Sequence, residues 1–445
     1  MAKLLSLFKG KLSSESDNIL LLLFLCLLGS HFLDYHLYVF IAFAIFLIKW
    51  RTIYTMNALL VFFFILSVYI TWIFLDVRII YQFRLIQEVL FPGILILLMY
   101  FLGLGIKIKQ EGILFISDKR MFYLLFIFVI SYTFFILWSY LAIPQDNPLT
   151  GLGMYVCFPN PYQRANINGG HLISTILTYY LTLMTFILPI IIFYFQKLKK
   201  RGFYTIELLL LLGLSFFVLY ISAIMGRRTV FVLFALVFLF LFFTYVVNYR
   251  NIKKVLFLLT LMAILFYGIK TYINQQENIP EVKAMLVTDN FIIPIVQYPK
   301  QSLNIEDSVI FNKLTHKGLK DERFSWWQKS FSVMLDHPFG GGYDEYLAPG
   351  IKLTHNVWLD MGKDLGILPF ILFLLVTLVH IYYLIQIFFS GQIENLLKYQ
   401  LVIIAMGIFP IMLIEPVFNS DKTFFAYIFF YFGILARTHL YICKK

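Results

Sequence analysis

Long apolar runs recur along almost the whole chain and leave few ways for it to fold. Reading runs of roughly 17 to 25 residues as membrane-spanning helices gives about twelve spans. Their approximate limits are 18–33, 35–49, 57–75, 85–106, 121–143, 172–195, 204–224, 229–247, 255–273, 365–389, 399–414 and 423–438. Composition agrees, since 61% of the residues are hydrophobic and only 13% are charged. The sequence therefore predicts an all-α polytopic membrane protein, with residues 1–445 forming a single integral membrane domain.

Basic residues fall mostly in short clusters between the apolar runs. The net charge of +12 would suit a nucleic-acid ligand, but a topological role explains the clusters better because cytoplasmic loops are enriched in lysine and arginine. A cytoplasmic amino terminus places these clusters on one side: Lys49 with Arg51, Lys107 with Lys109, Lys119 and Arg120, Lys197 with 199–201, Arg250 with Lys253 and Lys254, and Lys444 with Lys445. We expect no nucleic-acid partner. We also expect no cleavable signal peptide, because the first apolar run lacks a small-residue cleavage site.

Three segments face the opposite side of the membrane on this topology. They are an external loop over 144–171, a tight turn at 226–229 and a long periplasmic loop over 274–364. A connection as long as the third is uncommon in a compact protein unless it is functional or disordered. Its last part is polar, aromatic and glycine-rich, which favours a functional loop.

Two amphipathic helices are predicted near the end of the long loop. Apolar residues recur at helical spacing in the first, namely Phe324, Trp327, Phe331, Met334 and Leu335. Pro338 ends that helix, and the three glycines at 340–342 allow positive φ angles and a close approach to a ligand. A second helix is predicted to begin near Thr354 and to run into the span at 365–389.

His355 lies at the entrance of the second helix and is the first candidate for chemistry. A lone histidine is more often a structural residue with satisfied hydrogen bonds. Its position is the argument for function, together with Asn356, Asp360 and Asp364, which lie at four-residue intervals on one face of the helix that follows. That polar face is equally well explained as a solvated surface.

Arg227 and Arg228 stand at the outer end of a hairpin between two spans, where arginine is costly and has no topological purpose. Snorkelling towards lipid phosphates is the alternative explanation. Because the guanidinium group holds phosphate oxygens in two parallel hydrogen bonds, the pair predicts a lipid-linked phosphate or pyrophosphate ligand. Four more arginines add to the positive charge of the outer face: Arg78, Arg84, Arg164 and Arg323.

No set of histidine, cysteine and acidic residues has the spacing of metal ligands. Asp344 and Glu345 form a weak candidate for a cation site. The three cysteines, Cys26, Cys157 and Cys443, are too scattered to predict a disulfide framework. We expect neither a metal nor a cofactor.

Three motifs follow one another in the long loop: Arg323-Phe-Ser-Trp-Trp-Gln, then Asp336-His-Pro-Phe-Gly-Gly-Gly-Tyr, then Thr354-His-Asn-Val-Trp-Leu with 366–370 behind it. Arg227-Arg228-Thr229 opens an earlier span. In this order the motifs resemble those of the O-antigen ligases and Wzy-type O-antigen polymerases of bacterial envelopes. The chain departs from the family where serines often precede a single arginine, and we favour Arg228 as the counterpart of that arginine.

The resemblance implies a GT-C-like glycosyltransferase in the bacterial inner membrane with a periplasmic active site. It implies an undecaprenyl-pyrophosphate-linked glycan as donor, a lipid-linked acceptor, contact with membrane lipids, and a chain-length regulator and a flippase as further partners. His355 would act as general base, and Arg228, Arg227 and Arg323 would bind the pyrophosphate. Further candidates for contact with substrate are Arg164, Asn356, Gly341 and Tyr343.

Three functions remain open. A polymerase acting on repeat units is favoured, from the high aromatic content and the lack of an added acceptor-binding domain. A ligase that transfers the glycan to lipid A core is the alternative, and no motif separates the two. A transporter or lipid-linked oligosaccharide flippase is more remote, because transport needs polar residues near the bilayer midplane, whereas polar character here concentrates at the outer edge.

Overall fold

The computed structural model describes residues 21, 23–25, 35–49, 56–76, 90–106, 155–157, 171–173, 286–288, 291–293, 323–342, 345–348, 353–414, 417 and 422–443. The chain divides into two compact units. The first consists of Met1–Phe128, Ile190–Leu198 and Glu322–Lys445, and the second of Val129–Pro189 and Lys199–Asp321.

The regular elements of the first unit, in its described part, are mainly α-helices. Its helices are α1 (Tyr35–Lys49), α2 (Met56–Asp76), α3 (Phe91–Leu104), α4 (Arg323–Asp336), α5 (Val357–Leu365), α6 (Ile367–Phe389), α7 (Asn395–Ile414) and α8 (Lys422–Cys443). Helix α8 packs mainly against α3, helix α6 packs against α2 and α8, and α5 packs against α4 and α6. Helix α5 also contacts α2 and α7, so α4 and α5 are attached to the bundle mainly, but not solely, through α6.

Three of these helices are long and apolar enough to cross a membrane: α6, the Leu397–Ile414 part of α7 and the Phe424–Cys443 part of α8. Shorter apolar helices cover Leu37–Leu47, Ala58–Thr71 and Phe91–Leu104. These helices support the predicted membrane location. The spans predicted between residues 121 and 273 lie outside the described residues, apart from 172–173, so the total of about twelve stays a prediction.

Helix α6 is apolar on two opposite faces. One face is mostly apolar and is buried against other helices through Pro369, Phe373, Val376, Tyr383 and Ile387. It also contains the polar residues Thr377 and His380. The other is exposed and carries Leu368, Ile371, Leu375, Leu378, Tyr382, Ile385 and Phe389. A helix with one solvated face would carry polar residues there, so the exposed face of α6 suits contact with lipid.

Two glycines let α3 and α8 approach until their backbones touch. A Cβ atom on Gly433 would lie 2.2 Å from the carbonyl oxygen of Tyr100, and one on Gly103 would lie 2.3 Å from that of Phe430. Small residues at a contact are a common means of bringing membrane helices together. The Arg437 side chain of α8 also donates to the carbonyl oxygen of Ile106, at 3.1 Å.

Aromatic rings fill the space between α2, α6 and α8. The rings of Phe64 and Phe429 stack with centroids 5.8 Å apart, and Phe373 lies 5.2 Å from Phe64 and 5.4 Å from Phe425. All four side chains are buried. This cluster anchors the first half of α6, the helix that follows the predicted active-site loop.

The described residues of the second unit form two short antiparallel strand pairs. Strand β1 (Tyr155–Cys157) pairs with β2 (His171–Ile173), and β3 (Leu286–Thr288) pairs with β4 (Phe291–Ile293). The prediction of an all-α chain did not include them. β-branched and aromatic residues on either side of the Asp289-Asn290 dipeptide, namely Val287, Thr288, Phe291, Ile292 and Ile293, are a strand signal that a search for long apolar runs does not detect.

Candidate active site around His355

The first predicted loop helix exists as α4, but much of its predicted apolar face is wrong. Phe324, Phe331 and Leu335 are 65%, 48% and 55% exposed. The buried residues are Ser330, Val333 and Met334. Helix α4 packs against α5 through this smaller face, on which the Ser330 hydroxyl donates to the carbonyl oxygen of Leu359 at 3.3 Å. Sequence periodicity placed the face incorrectly because its buried members include a serine.

Two tryptophans of α4 contact the segment that carries His355. The indole Nε1 of Trp327 donates to the carbonyl oxygen of Thr354 at 3.1 Å. The Trp326 ring lies 5.9 Å from the His355 ring, centroid to centroid, with an angle of 36° between the planes. Arg323, the first residue of this helix, precedes Trp326 by one turn. The predicted base thus has an aromatic neighbour on α4.

Helix α5 begins at Val357, three residues later than predicted. The Asn356 side chain is its N-cap and accepts a hydrogen bond from the Leu359 amide at 3.1 Å. The Thr354 hydroxyl oxygen in turn accepts from the Asn356 amide at 3.1 Å. These bonds hold the two residues that flank His355, and both residues are buried.

His355 itself has a φ angle of 57°, and it is the one residue other than glycine with positive φ in the described part of the chain. The left-handed region costs an L-residue with a Cβ atom about 1–2 kcal/mol, and such a conformation persists only where the surroundings hold it. Thr354 and Asn356 provide that support. The backbone is thus fixed in an uncommon shape at the residue that the sequence selects for chemistry, which favours a functional role over a merely structural one.

Asp360 is fully buried in the first turn of α5, at 0% exposure. Its Oδ1 accepts a hydrogen bond from the amide of Thr354 at 2.7 Å. The pKa of its carboxyl is raised from 3.8 to about 6: burial is the main cause, the Thr354 hydrogen bonds oppose it, and the smaller effects of the Asp364 and His355 charges raise and lower it respectively. The interpretation of this helix face as solvated is therefore wrong for Asp360.

A buried lysine closes the other end of α5. Lys363 is 0% exposed, its Nζ lies 2.7 Å from Oδ1 of Asp364, and it donates to the carbonyl oxygen of Gly342 at 2.9 Å. Lys363 is not among the predicted site residues. Its one sequence signal is its position next to Asp364, and a lysine does not stand out in a helix with as many polar residues as this one.

The glycine turn packs against the junction of α5 and α6. Gly340 and Gly341 have φ angles of 89° and 103°, and the Gly341 amide donates to the carbonyl oxygen of Asp364 at 3.0 Å. A Cβ atom on Gly340 would lie 2.8 Å from the carbonyl carbon of Leu365. The sequence predicts that these glycines allow a close approach to a ligand. In the structure, Gly340 and Gly341 closely approach the chain's own backbone instead.

Four of the eight predicted site residues lie in the described part of the chain. His355 and Asn356 precede α5, Arg323 begins α4, and Gly341 packs against Asp364 at the far end of α5. The other four lie outside the described residues: Arg164, Arg227, Arg228 and Tyr343. The arrangement around His355 offers an imidazole beside a tryptophan ring and near a buried carboxylate, which is a setting suited to proton transfer.

Part of the chain resembles a known protein family. Residues 213–374 match the sequence model of a family described as O-antigen ligase. The matched segment includes Arg227, Arg228 and the whole of α4 and α5, so the resemblance predicted from the motifs is confirmed. No curated protein matches the chain.

Proposed function

We propose that the protein is a glycosyltransferase that moves a growing glycan from undecaprenyl pyrophosphate to a lipid-linked repeat unit, and so acts as a polymerase of an envelope polysaccharide. The observation that carries the proposal is the family match over 213–374, which encloses a histidine held at a φ angle of 57°. The site faces the periplasm of the bacterial inner membrane in this proposal.

The reaction requires one proton transfer and one leaving group. A hydroxyl oxygen of the acceptor sugar attacks the anomeric carbon of the donor, and a new C–O bond forms as the bond from that carbon to the pyrophosphate oxygen breaks. The hydroxyl proton passes to the His355 imidazole, and the electron pair leaves with the pyrophosphate. A positioned general base contributes on the order of 10² to 10⁴ in rate.

Arginines bind the leaving pyrophosphate in this mechanism. Arg228 is the first choice, followed by Arg227 and Arg323, because fixed guanidinium groups stabilise charge that develops as the bond breaks. Arg323 is supported by its place one turn before Trp326, whose ring lies next to His355. Arg164, Tyr343, Asn356 and Gly341 are assigned to the positioning of donor or acceptor.

A ligase that transfers the finished glycan to lipid A core is the second candidate. The description of the matched family favours it. Donor, base and arginines keep the same roles, and only the acceptor differs.

A surface-glycan ladder separates the candidates. A strain that lacks the gene is complemented with wild type, with His355→Ala, or with His439→Ala as a control on α8, and membrane levels of each protein are matched. We expect the deletion and His355→Ala to give core with a single repeat unit and no ladder, and the control to restore the ladder.

The other outcomes identify other functions. Bare core with long polymer left on the lipid carrier would identify the ligase. An unchanged ladder in the deletion strain would contradict both functions for this glycan and would point to a transporter or to an enzyme of another glycan. A normal ladder with His355→Ala would exclude this residue as the base.

The arginine assignment has its own test in the same strain. We expect Arg228→Lys to be nearly as inactive as Arg228→Ala, because an ammonium group does not reproduce two parallel hydrogen bonds. Full activity of the lysine variant, at normal protein level, would contradict bidentate binding of phosphate.

A further inference from the structure

Three side chains of α4 form an apolar stripe that the proposed reaction does not use. They are Phe324, Phe331 and Leu335, and all three are exposed. They are seven and four residues apart, a spacing that places them on one side of an α-helix. Because a large exposed apolar patch usually marks an interaction surface, the stripe requires a partner.

Helix α4 has three distinct sides. The buried side, with Ser330, Val333 and Met334, packs against α5. The polar side is exposed and carries Ser325, Lys329, Ser332 and Asp336. At about 100° per residue, the centres of the buried side, the polar side and the stripe lie roughly 120° apart. This division is expected of a helix that meets protein, water and a third, apolar environment.

Helix α6 shows where the membrane begins. It has 23 residues and is therefore about 35 Å long at 1.5 Å per residue, close to the hydrocarbon thickness of a bilayer, about 30 Å. Nearly the whole helix is needed to cross the membrane, so Ile367 at its start lies near one edge of the bilayer. The exposed apolar face of α6 begins at the next residue, Leu368.

Phe339 brings the end of α4 to the same edge. The Ile367 amide donates to the carbonyl oxygen of Pro338 at 2.9 Å, and Phe339 is the next residue. Its side chain is 86% exposed, more than any other large apolar side chain in the described part of the chain. Leu335 precedes it by four residues, so the stripe begins within roughly 14 Å of this edge.

We propose that the stripe of α4, together with Phe339, inserts into the adjacent leaflet of the bilayer, and that α4 is an interfacial membrane anchor. Its partner is the glycerol and acyl region of ordinary phospholipids. This contact does not depend on the reaction at His355.

The surroundings of the stripe favour lipid over a protein partner. The bilayer surrounds the exposed face of α6, so lipid is already present beside Phe339. Interfacial helices insert their apolar side about 5–10 Å into the boundary between headgroups and acyl chains, a depth that phenylalanine and leucine reach while the polar side of α4 stays in water. An anchored α4 also fixes the depth of Trp326 and Trp327, which contact the segment that carries His355.

Photocrosslinking in bilayers of known composition tests the proposal. The full-length protein carries Phe331→p-benzoylphenylalanine, Phe339→p-benzoylphenylalanine or, as the matched control on the polar side of the same helix, Lys329→p-benzoylphenylalanine. Each variant is reconstituted in nanodiscs of phosphatidylethanolamine and phosphatidylglycerol, irradiated and analysed by mass spectrometry. We expect phospholipid adducts at positions 331 and 339 to exceed those at 329 about tenfold, because only one side of an interfacial helix meets lipid.

Several outcomes would overturn the proposal. Equal phospholipid labelling at positions 331 and 329, or no lipid adduct at 331, would exclude insertion of the stripe. A crosslink from 331 to another peptide of the same chain would mean that the protein itself covers the stripe. A crosslinked dimer would mean that a second copy covers it.

A donor lipid is distinguished by adding undecaprenyl phosphate to the nanodiscs. Phospholipid adducts at 331 that remain unchanged would support the anchor. Polyprenyl adducts that replace them would overturn it and assign the stripe to the lipid chain of the donor.

Two measures keep the test decisive. Thermal unfolding equal to that of wild type shows that a labelled protein is folded. If the variant at 331 does not accumulate, Leu335→p-benzoylphenylalanine and Ser332→p-benzoylphenylalanine give the same comparison between stripe and polar side. None of these measurements involves turnover, so their failure would leave the proposed transferase intact, and an inactive transferase would leave the anchor intact.

Discussion

The segment around His355 and the contact between α3 and α8 are both tightly packed, but they are packed by opposite means. From the segment at His355 to the far end of α5, polar side chains are buried and individually hydrogen-bonded: Thr354, Asn356, Asp360 and Lys363. Between α3 and α8, two glycines simply leave room for backbone to meet backbone. The first arrangement fixes individual atoms and is sensitive to charge. The second fixes the distance between helices and is sensitive to volume.

The largest loss of stability is expected when a buried charge is removed from α5. Lys363→Met leaves Asp364 without its ion pair and Gly342 without its donor, and removal of one partner of a buried pair costs about 3 kcal/mol or more. Thermal unfolding in detergent should show this loss, whereas Lys329→Met, exposed on α4, should not. The double variant with Asp364→Asn should recover part of the stability, and no recovery would contradict the pairing.

An added side chain at the contact between α3 and α8 should cause the next largest loss of stability. In Gly433→Ala the new Cβ atom meets the carbonyl oxygen of Tyr100 at 2.2 Å, so the helices must separate, at a cost of about 1–3 kcal/mol for overpacking. Gly391→Ala is the matched control, since nothing lies within 4 Å of its Cβ atom. Equal unfolding temperatures for the two variants would refute the close contact.

The pH dependence of stability should differ between wild type and Asp360→Asn. The pKa of the Asp360 carboxyl is raised from 3.8 to about 6, so the folded protein holds this proton more firmly than the unfolded chain does. The stabilisation is complete below about pH 4 and is lost as pH rises through about 6. Unfolding temperature measured across this window should fall more in wild type than in the variant. Parallel curves would show that burial does not perturb the carboxyl.

The smallest effect is expected from a single neutral hydrogen bond. Trp327→Phe keeps most of the ring volume but removes the bond from Nε1 to the Thr354 carbonyl, which is worth about 1 kcal/mol. Hydrogen exchange should quicken at residues 353–356 and remain unchanged in α8. The control is Phe331→Leu, exposed on the same helix, and a similar response in both variants would mean that the bond contributes nothing.

The two regions also differ in how much of them the sequence could predict. The limits of α6 were predicted within two residues, because a long apolar run ends at a glycine and a serine. His355 and Asn356 were selected from their place before a span, which is local information. The burial of Asp360 was not predictable, since a polar i, i+4 pattern is the same whether the face meets water or another helix.

The packing of α4 shows the same limit. Phe324 and Leu335 are exposed while Ser330 is buried, where its hydroxyl donates to the Leu359 carbonyl. The contact of Gly103 with Gly433 joins parts of the chain that are far apart in sequence, and no local pattern indicates which glycine meets which. The roles of Arg227 and Arg228 stay predictions from sequence.

A single residue, Gly366, joins α5 to α6, and this has a consequence for how the proposed enzyme would measure its substrate. Helix α5 has 9 residues and is therefore about 13 Å long at 1.5 Å per residue, so His355 stays within a short, fixed reach of the end of a span. A donor anchored in the bilayer presents its first sugar at a constant depth, however many repeats follow. The site would thus recognise the sugar at a fixed distance from the lipid carrier, and the length of the glycan beyond that sugar would not affect binding at the site.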